Sequence, residues 1–305
     1  EGVSLWVQDM SGNRKRISDI LPRINFVQAD SCGPATEIYS PPIWSPDEKK
    51  IVFAYLDLFK AEINYYLIDL NAGTTNLFYR DNRRGTWIAP NTLVLPPLWI
   101  NSTQLVIPSG ETNSLLLFGE TGKKTQEFKP PEDLLATIPQ PGIYALQMFN
   151  HKLLVGFYQK ETMTTEDKLE AWYLLDVASA AWEKVLDVSH MNVGRPYAVD
   201  SQSIACETGM LTVFDRQWQV AGQNSELPAS PDDCFNGFQV FEYKHQLLAS
   251  YPGSTEQNTK RGIWVAPIQK RAPEPKLLVD LSGLPEPARW IYPYVIDYSW
   301  RIPSH

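Results

Sequence analysis

The stretch that decides the fold runs from residue 43 to residue 54 and reads IWSPDEKKIVFA. Its two apolar runs, Ile43-Trp44 and Lys50–Ala54, flank Ser45–Lys49, a segment of turn-forming residues. Short β-branched and aromatic runs bounded by such residues predict strands joined by tight turns. A second strand-turn-strand segment follows over residues 64–79. Four strands within about 40 residues have the size of one propeller blade.

The same four-strand unit recurs along the chain, with copies at approximately residues 37–80, 90–130, 140–188, 195–226 and 236–281. A half unit remains at 288–305, and residues 3–20 match the third and fourth strands of the other copies. We therefore predict an all-β chain, a six-bladed β-propeller forming one domain over residues 1–305. The N-terminal strands are expected to complete the last blade, which closes the ring and removes exposed strand edges. Helix content is predicted to be very low, and residues 164–172 are the best helix candidate.

The run Trp44-Ser45-Pro46-Asp47-x-x-Lys50-Ile51-Val52-Phe53 resembles the repeat of TolB-type propellers, six-bladed domains of bacterial envelope proteins. Residues 66–73 and 5–12 resemble the second half of that repeat, so the strong match covers about one and a half blades. The resemblance implies a six-bladed propeller in an extracytoplasmic setting, either periplasmic or lipid-anchored through a removed N-terminus. The family includes protein-interaction modules, accessory peptidase domains and lyases, so it selects no activity.

The composition limits the possible partners. The net charge is −8, from 35 acidic and 27 basic residues, and such a surface repels polyphosphate. Nucleic acid is therefore not an expected partner, and no apolar stretch approaches the roughly 20 residues that span a bilayer.

Three cysteines, Cys32, Cys206 and Cys234, show no Cys-x-x-Cys spacing. Two alternatives remain open for these cysteines: a Cys206–Cys234 disulfide, or buried free thiols. We predict a monomer without a cofactor.

The strand order predicts two different ends for each blade. We call "turn end" the end that carries the first-to-second and third-to-fourth links, which are tight. The opposite, "loop end" carries the second-to-third links and the crossings between blades. Long links are predicted in blades one, three and five (56–62, 160–170 and 252–261) and short ones in blades two and four, which would scallop the rim. Long crossings are predicted at 21–36, 79–92, 129–142 and 221–236. Since loops on a rigid scaffold carry function, we expect the working face at the loop ends.

The crossings lead to the first strand of each blade, beside the expected central channel. Aromatic, basic and acidic residues gather there: Glu37, Tyr39, Arg84, Trp87, Tyr144, Arg195, Tyr197, Asp232, Asp233, Arg289 and Trp290. An aromatic mouth with guanidinium groups suits a sugar ring, a peptide or a carboxylate. The alternative interpretation is structural, because inner-strand Tyr and Trp pack between blades and Arg stacks on them.

The sequence shows no recognisable catalytic set. None of the four histidines forms a pair with metal-ligand spacing, and no Gly-x-Ser-x-Gly elbow or phosphate-binding Gly loop occurs. We therefore favour a non-enzymatic module that binds a protein segment or a small polar ligand. The alternatives are a carbohydrate- or peptide-active enzyme using Glu37, Asp232 or Asp233 as proton carriers, and an ancillary domain of a larger envelope protein.

Two further groups of residues carry weaker signals. The acidic pairs Glu132-Asp133 and Glu166-Asp167 are interpreted as solvated loop charges. Asn101-Ser102-Thr103 is a glycosylation sequon. Such triplets also arise by chance, and the bacterial resemblance argues against its use.

Overall fold

The computed structural model describes residues 5–8, 13–18, 37–40, 42–57, 60–82, 95–159, 170–187, 196–198, 204–207, 211–215, 217–224, 239–243, 246–255, 258–267 and 276–280. These residues form two compact units, the first ending at Lys129 and the second beginning at Pro130. The described residues contain 23 strands and one helix, as expected of an all-β chain. No helix among them is long and apolar enough to cross a membrane.

The first unit contains a two-stranded hairpin and two larger sheets. The hairpin consists of β1 (Leu5–Gln8) and β2 (Arg14–Ser18). The first sheet contains β3 (Glu37–Tyr39), β4 (Ile43–Trp44), β5 (Lys50–Asp57), β6 (Glu62–Asp69) and β7 (Thr74–Asn82). Both β3 and β4 pair with β5, so they act as one first strand interrupted at residues 40–42. The second sheet contains β8 (Leu98–Asn101), β9 (Gln104–Ser109), β10 (Ser114–Gly119) and β11 (Lys124–Phe128).

The second unit begins with the helix α1 (Glu132–Thr137) and continues with three four-stranded sheets. The third sheet contains β12 (Pro141–Phe149), β13 (Lys152–Gln159), β14 (Glu170–Asp176) and β15 (Ala181–Asp187). The fourth contains β16 (Pro196–Ala198), β17 (Ile204–Glu207), β18 (Leu211–Phe214) and β19 (Val220–Asn224). The fifth contains β20 (Gln239–Tyr243), β21 (Gln246–Thr255), β22 (Asn258–Pro267) and β23 (Lys276–Asp280).

All five larger sheets are antiparallel, and their strands pair in chain order. Apart from the last two residues of β7, their strands fall within the segments 37–80, 90–130, 140–188, 195–226 and 236–281, and the assignment of these segments as propeller blades stays a prediction. The hairpin of β1 and β2 lies where the sequence predicts the two outer strands of a shared blade. The count of six blades, the single domain and the closure of the ring stay predictions.

The middle strands of the first three sheets are largely buried, which explains their continuous apolar character. Every residue from Ile51 to Asp57 in β5 is buried, whereas the outer strand β15 has no buried residue. One face of the first sheet packs against the second sheet through Val52, Ala54, Leu56, Ile63, Tyr65, Trp99, Leu105, Ile107, Leu116 and Phe118. The other face buries Ile51, Phe53 and Ile68. Stacked sheets of this kind bury both sides of their central strands.

The Ser-Pro-Asp motif forms the predicted tight turn between β4 and β5. Ser45 Oγ donates to Asp47 Oδ1 at 2.7 Å and accepts from the backbone N–H of Lys50 at 2.9 Å. Glu48 takes a positive φ of 62°, and its N–H donates to the Ser45 carbonyl at 2.8 Å. The hydroxyl and the carboxylate thus satisfy backbone groups that a tight turn would leave unpaired. The motif that suggested the family resemblance has a structural role here.

The predicted contrast between long and short second-to-third links is wrong for blades one and five. Four residues separate β5 from β6, as many as separate β9 from β10, and only two separate β21 from β22. The additional residues extend the strands instead, so β21 and β22 each have ten residues and β9 has six. A paired strand satisfies backbone groups that an open loop leaves to solvent, which favours lengthening the hairpin. The corresponding link of the third sheet lies outside the described residues.

The predicted helix position also needs correction. The helix lies at α1, within the predicted crossing 129–142, while Glu170, Ala171 and Trp172 of the predicted helix belong to β14. Pro131 precedes α1, and Glu132 and Asp133 fill its first turn. Acidic residues near a helix N-terminus interact favourably with its dipole, so this short helix has a recognisable start signal.

Candidate functional site

Four of the predicted site residues lie in the described part of the chain. Glu37 and Tyr39 lie in β3, Tyr144 in β12 and Tyr197 in β16, in each case on the first strand of a sheet. The others lie outside the described residues: Arg84, Trp87, Arg195, Asp232, Asp233, Arg289 and Trp290. The gathering of these residues around one channel mouth stays a prediction.

Tyr144 lies inside the packing of the second unit. Its hydroxyl accepts a hydrogen bond from Trp172 Nε1 at 2.6 Å, and its ring packs on the cluster of Leu154, Trp172, Leu174 and Phe214. The ring also covers Gly156, where an added Cβ would lie 2.9 Å from two of its carbon atoms. Tyr144 therefore has the packing role that the structural interpretation of the aromatic residues describes.

The loop end of the first sheet brings several polar residues into register. One row across the four strands consists of Glu37, Asp57, Glu62 and Asn82. Residues two positions along a strand share a face, so Asn64 and Arg80 belong to the same face as that row. Carboxylate, amide and guanidinium groups therefore occupy neighbouring positions on strands instead of on loops.

Arg80 on this face is held by contacts at its Nε atom, while most of its side chain is exposed. Arg80 Nε donates to Asn64 Oδ1 at 3.1 Å and lies 3.6 Å from Glu62 Oε2. Asn64 is buried and the Glu62 side chain is 12% exposed, whereas the Arg80 side chain is 55% exposed. Both contacts use Nε, so among the described residues the two outer nitrogens stay available to a ligand. We call Asp57, Lys60, Glu62, Asn64 and Arg80 the Arg80 cluster.

A second cation is fixed beside the arginine. Asp57 accepts from the Lys60 backbone N–H at 3.1 Å and from Lys60 Nζ at 2.9 Å, and this hydrogen bond raises the pKa of Lys60. Burial raises the pKa of Tyr66, while the charges of Arg80 and Lys60 oppose that rise. The phenol of Tyr66, which stacks on Phe53 at a centroid distance of 5.3 Å, therefore lies within electrostatic reach of both cations.

The opposite face of the first sheet is fastened to the second sheet by a buried carboxylate. Asp81 Oδ1 accepts from Ser109 Oγ at 3.0 Å, and Oδ2 accepts from the Gly110 N–H at 2.8 Å. Tyr65 donates its hydroxyl hydrogen to the Pro108 carbonyl at 3.0 Å. Because Asp81 is 0% exposed, its charge is compensated by these donors and not by water. The contact holds the loop ends of the two sheets in one alignment.

The sequence prediction missed the Arg80 cluster because the strand was expected to end at Tyr79. The structure extends β7 to Asn82, which carries Arg80 onto the sheet and opposite Asn64. A recognisable signal exists in the sequence, since Arg80, Asp81 and Asn82 follow an aromatic run without a Gly or Pro to stop the strand.

The pair Glu132-Asp133 lies on a helix and not in a loop, although both residues are exposed as predicted. Both residues lie in the first turn of α1, and Asp133 Oδ2 accepts from the Tyr173 hydroxyl at 2.8 Å. Burial, together with the hydrogen bond to Asp133, raises the pKa of Tyr173 far above its ordinary range. Asp133 therefore fastens α1 to the third sheet. The other pair, Glu166-Asp167, lies outside the described residues.

The described residues contain little of the machinery that metal or histidine chemistry needs. In these ranges, no group of three or more His, Cys, Asp or Glu could hold a metal ion. His151 lies exposed in the turn between β12 and β13, where both it and Asn150 have positive φ angles of 62° and 47°. Such angles are typical of a two-residue hairpin turn, so His151 belongs to a turn end.

Comparison with known proteins gives similarity to solved structures only. No family model matches the chain, and no curated protein matches it. The β-propeller domain of the trilobed protease from Pyrococcus furiosus, described as having an open velcro topology, is 15% identical with a TM-score of 0.48, covering 90% of this chain and 76% of that one. An oligogalacturonate lyase in complex with manganese is 14% identical with a TM-score of 0.49, covering 92% and 73%. TolB from Acinetobacter baumannii is 13% identical with a TM-score of 0.48, covering 89% and 61%.

Proposed function

We propose that this chain is a binding module of the β-propeller class whose loop ends hold a protein segment or a small polar ligand. The observation that carries the proposal is the Arg80 cluster, where an exposed guanidinium is fixed by a buried amide and a carboxylate. A side chain held in place before binding loses less conformational freedom when a ligand arrives.

The chemistry of the cluster favours a ligand with a carboxylate. An arginine offers parallel donors that match the two oxygens of a carboxylate, and such bidentate hydrogen bonds are among the stronger ones in proteins. Asp57 and Glu62 lie in the same row and accept hydrogen bonds, which suits the amide N–H groups of a peptide or the hydroxyls of a sugar. The predicted residues Glu37 and Tyr39 pair with Asp57 and Tyr55 in this sheet, so they extend the same surface in our proposal.

The proposed architecture has six blades, with β1 and β2 completing the last one. The support is local: the hairpin has two strands where the five larger sheets have at least four, and it lies in the unit that contains the first sheet. Closure by a shared blade would pair the two strands with a partner from the C-terminal region and leave no open edge. In this proposal the chain is a TolB-like, extracytoplasmic module.

The enzyme alternative requires two carboxylates converging on a substrate. In the Arg80 cluster, the acids Asp57 and Glu62 are each already engaged by a cation of the protein, Lys60 and Arg80 respectively. We therefore keep binding as the proposed function. Turnover of an oligosaccharide or peptide that is abolished by changing Asp232 or Asp233 would favour the enzyme instead.

The proposal can be tested with defined probes. The purified chain is applied to an array of short peptides with free carboxyl termini and to an oligosaccharide array, and the best binder is titrated by calorimetry. We expect Arg80→Ala to weaken binding by about ten- to a hundredfold, since hydrogen bonds to charged groups contribute about 1.5–3 kcal/mol. A triple replacement of Trp87, Arg195 and Trp290 by alanine should abolish binding while the melting temperature stays unchanged.

Lys124→Ala is the matched control. Lys124 is 50% exposed and paired with Glu127, so the change removes a similarly exposed cation from the second sheet. Its affinity should equal that of the parent protein. The proposal fails if neither array gives a binder, or if Arg80→Ala and the triple variant both bind as tightly as the parent.

A further inference from the structure

A single N-glycosylation sequon occurs in the 305 residues, at Asn101-Ser102-Thr103. Asn101 ends β8 and Gln104 begins β9, so the triplet forms the tight link at the turn end of the second sheet. The proposed binding function makes no use of this link, because the Arg80 cluster lies at a loop end.

The link exposes the acceptor amide in an ordered turn. Asn101 and Thr103 are both exposed. Asn101 Oδ1 accepts from the Thr103 N–H and from Thr103 Oγ1, each at 2.9 Å. Asn101 Nδ2 donates to Gln104 Oε1 at 2.7 Å. The side chain therefore faces solvent while its orientation is set by three hydrogen bonds.

We propose that Asn101 is an acceptor for an N-linked glycan when the chain passes through a secretory compartment. The donor is a lipid-linked pyrophosphoryl oligosaccharide, presented by an oligosaccharyltransferase. The bond between the anomeric carbon and the pyrophosphate oxygen breaks as a bond from that carbon to Nδ2 forms. The amide releases one proton to a base of the transferase, and the lipid pyrophosphate leaves.

The folded turn can retain its hydrogen bonds after this reaction. A side-chain amide has two N–H groups, and only one donates to Gln104 within the described residues. The glycosylated nitrogen keeps one N–H for Gln104, and Oδ1 keeps both lone pairs for Thr103. The glycan extends from the turn end, at the opposite end of the second sheet from the link that contacts Asp81.

The resemblance to a bacterial repeat argued against use of the sequon. That argument concerns the organism and not the chemistry of the turn, and no family model matches this chain. Three features favour the modification: Asn101 and Thr103 are exposed, the triplet matches Asn-x-Thr, and the Asn101 amide has a second N–H besides the one that donates to Gln104.

The test uses the full chain behind a cleavable signal peptide, produced in a eukaryotic secretory cell line and in translation extracts with microsomes. We expect a mass increase of one core oligosaccharide that peptide-N-glycosidase removes, leaving aspartate at position 101. Asn101→Gln and Thr103→Ala should lose the modification completely, while Thr103→Ser should keep it because the hydroxyl remains.

The folded state supplies a second measurement. Melting temperatures of the secreted glycoprotein and its deglycosylated form should differ by less than about 2 °C, as expected for a change on an exposed turn. An unmodified parent chain in both systems would overturn the proposal, and so would a glycan that persists in Asn101→Gln. A loss of cooperative unfolding on glycosylation would show that the turn does not accept the glycan.

Discussion

The contact between the first and second sheets differs in chemistry from the contact between the third and fourth. The first contact has an aliphatic and aromatic centre with polar groups at both ends: Asp81 and Tyr65 at the loop ends, and an ion pair of Lys50 with Glu120 at the turn ends. In the second, aromatic rings pack beside Leu154 and Leu174. Trp172 meets Phe214 and Trp218 edge to face, at centroid distances of 5.3 Å and 6.4 Å.

The two contacts illustrate two ways to align stacked sheets. Hydrophobic burial depends little on direction, so an aliphatic centre alone would allow neighbouring sheets to slide. Buried hydrogen bonds restrict that sliding because each misaligned donor or acceptor would be left unpaired. Edge-to-face rings also prefer particular angles, so the aromatic contact supplies area and alignment together.

The largest effect is expected at the aromatic contact. Trp172 is 0% exposed, and its Nε1 donates to Tyr144. Trp172→Ala should reduce the free energy of unfolding by about 3–5 kcal/mol, because the change removes a large buried ring and leaves a cavity. Chemical denaturation monitored by circular dichroism would measure this. Trp172→Phe, which keeps a ring, should cost clearly less, and equal losses for the two variants would contradict the packing role.

A smaller effect is expected at the polar end of the first contact. Asp81→Ala should cost about 1–3 kcal/mol, because it leaves the buried hydroxyl of Ser109 and the partly buried N–H of Gly110 without this acceptor. Ser109→Ala is the matched control, since it removes one of those donors and leaves the carboxylate its contact with Gly110. If the two variants unfold at the same denaturant concentration, the carboxylate does not align these sheets.

The smallest effect is expected for alanine substitutions at two turn glycines, one of which also lies against the neighbouring sheet. Gly73 and Gly122 both lie in third-to-fourth turns, with positive φ angles of 63° and 74°. Alanine should cost about 1–2 kcal/mol at each for the left-handed backbone. At Gly122 a Cβ would also lie 3.2 Å from Phe78 Cβ, whereas Gly73 has nothing within 4 Å. Thermal unfolding should therefore show a larger loss for Gly122→Ala than for Gly73→Ala, and the reverse order would contradict this contact.

The strands and tight turns could be predicted because their signals are local. In the Ser45–Lys49 turn, the serine and aspartate that suggest a turn also form its hydrogen bonds. The turn at Asp176 works in the same way, since its carboxylate accepts from the N–H groups of Ala178 and Ser179. Strand periodicity and turn chemistry need only neighbouring residues, so a single sequence reveals them.

The candidate site was predicted less well because it depends on register and strand length. Arg80 reaches Asn64 only when β6 and β7 pair along their full length, and no local pattern fixes where that pairing stops. Asp133 has its role only because α1 packs on Tyr173, 40 residues further along the chain. The predicted loops at 56–62 and 252–261 were too long for a related reason, since strand pairing extends into both ends of each segment.

The short second-to-third links affect how this scaffold could acquire new specificity. Two to four residues separate these strands in the first, second, fourth and fifth sheets. Exchanging such short segments offers an engineer little material, unlike the long variable loops of an antibody domain. Diversification would instead act on strand-borne positions such as Glu62 and Arg80, where each accepted change must also preserve pairing. Libraries randomised at alternate residues near the hairpin tips should therefore yield more folded variants with altered binding surfaces than libraries of grafted loops.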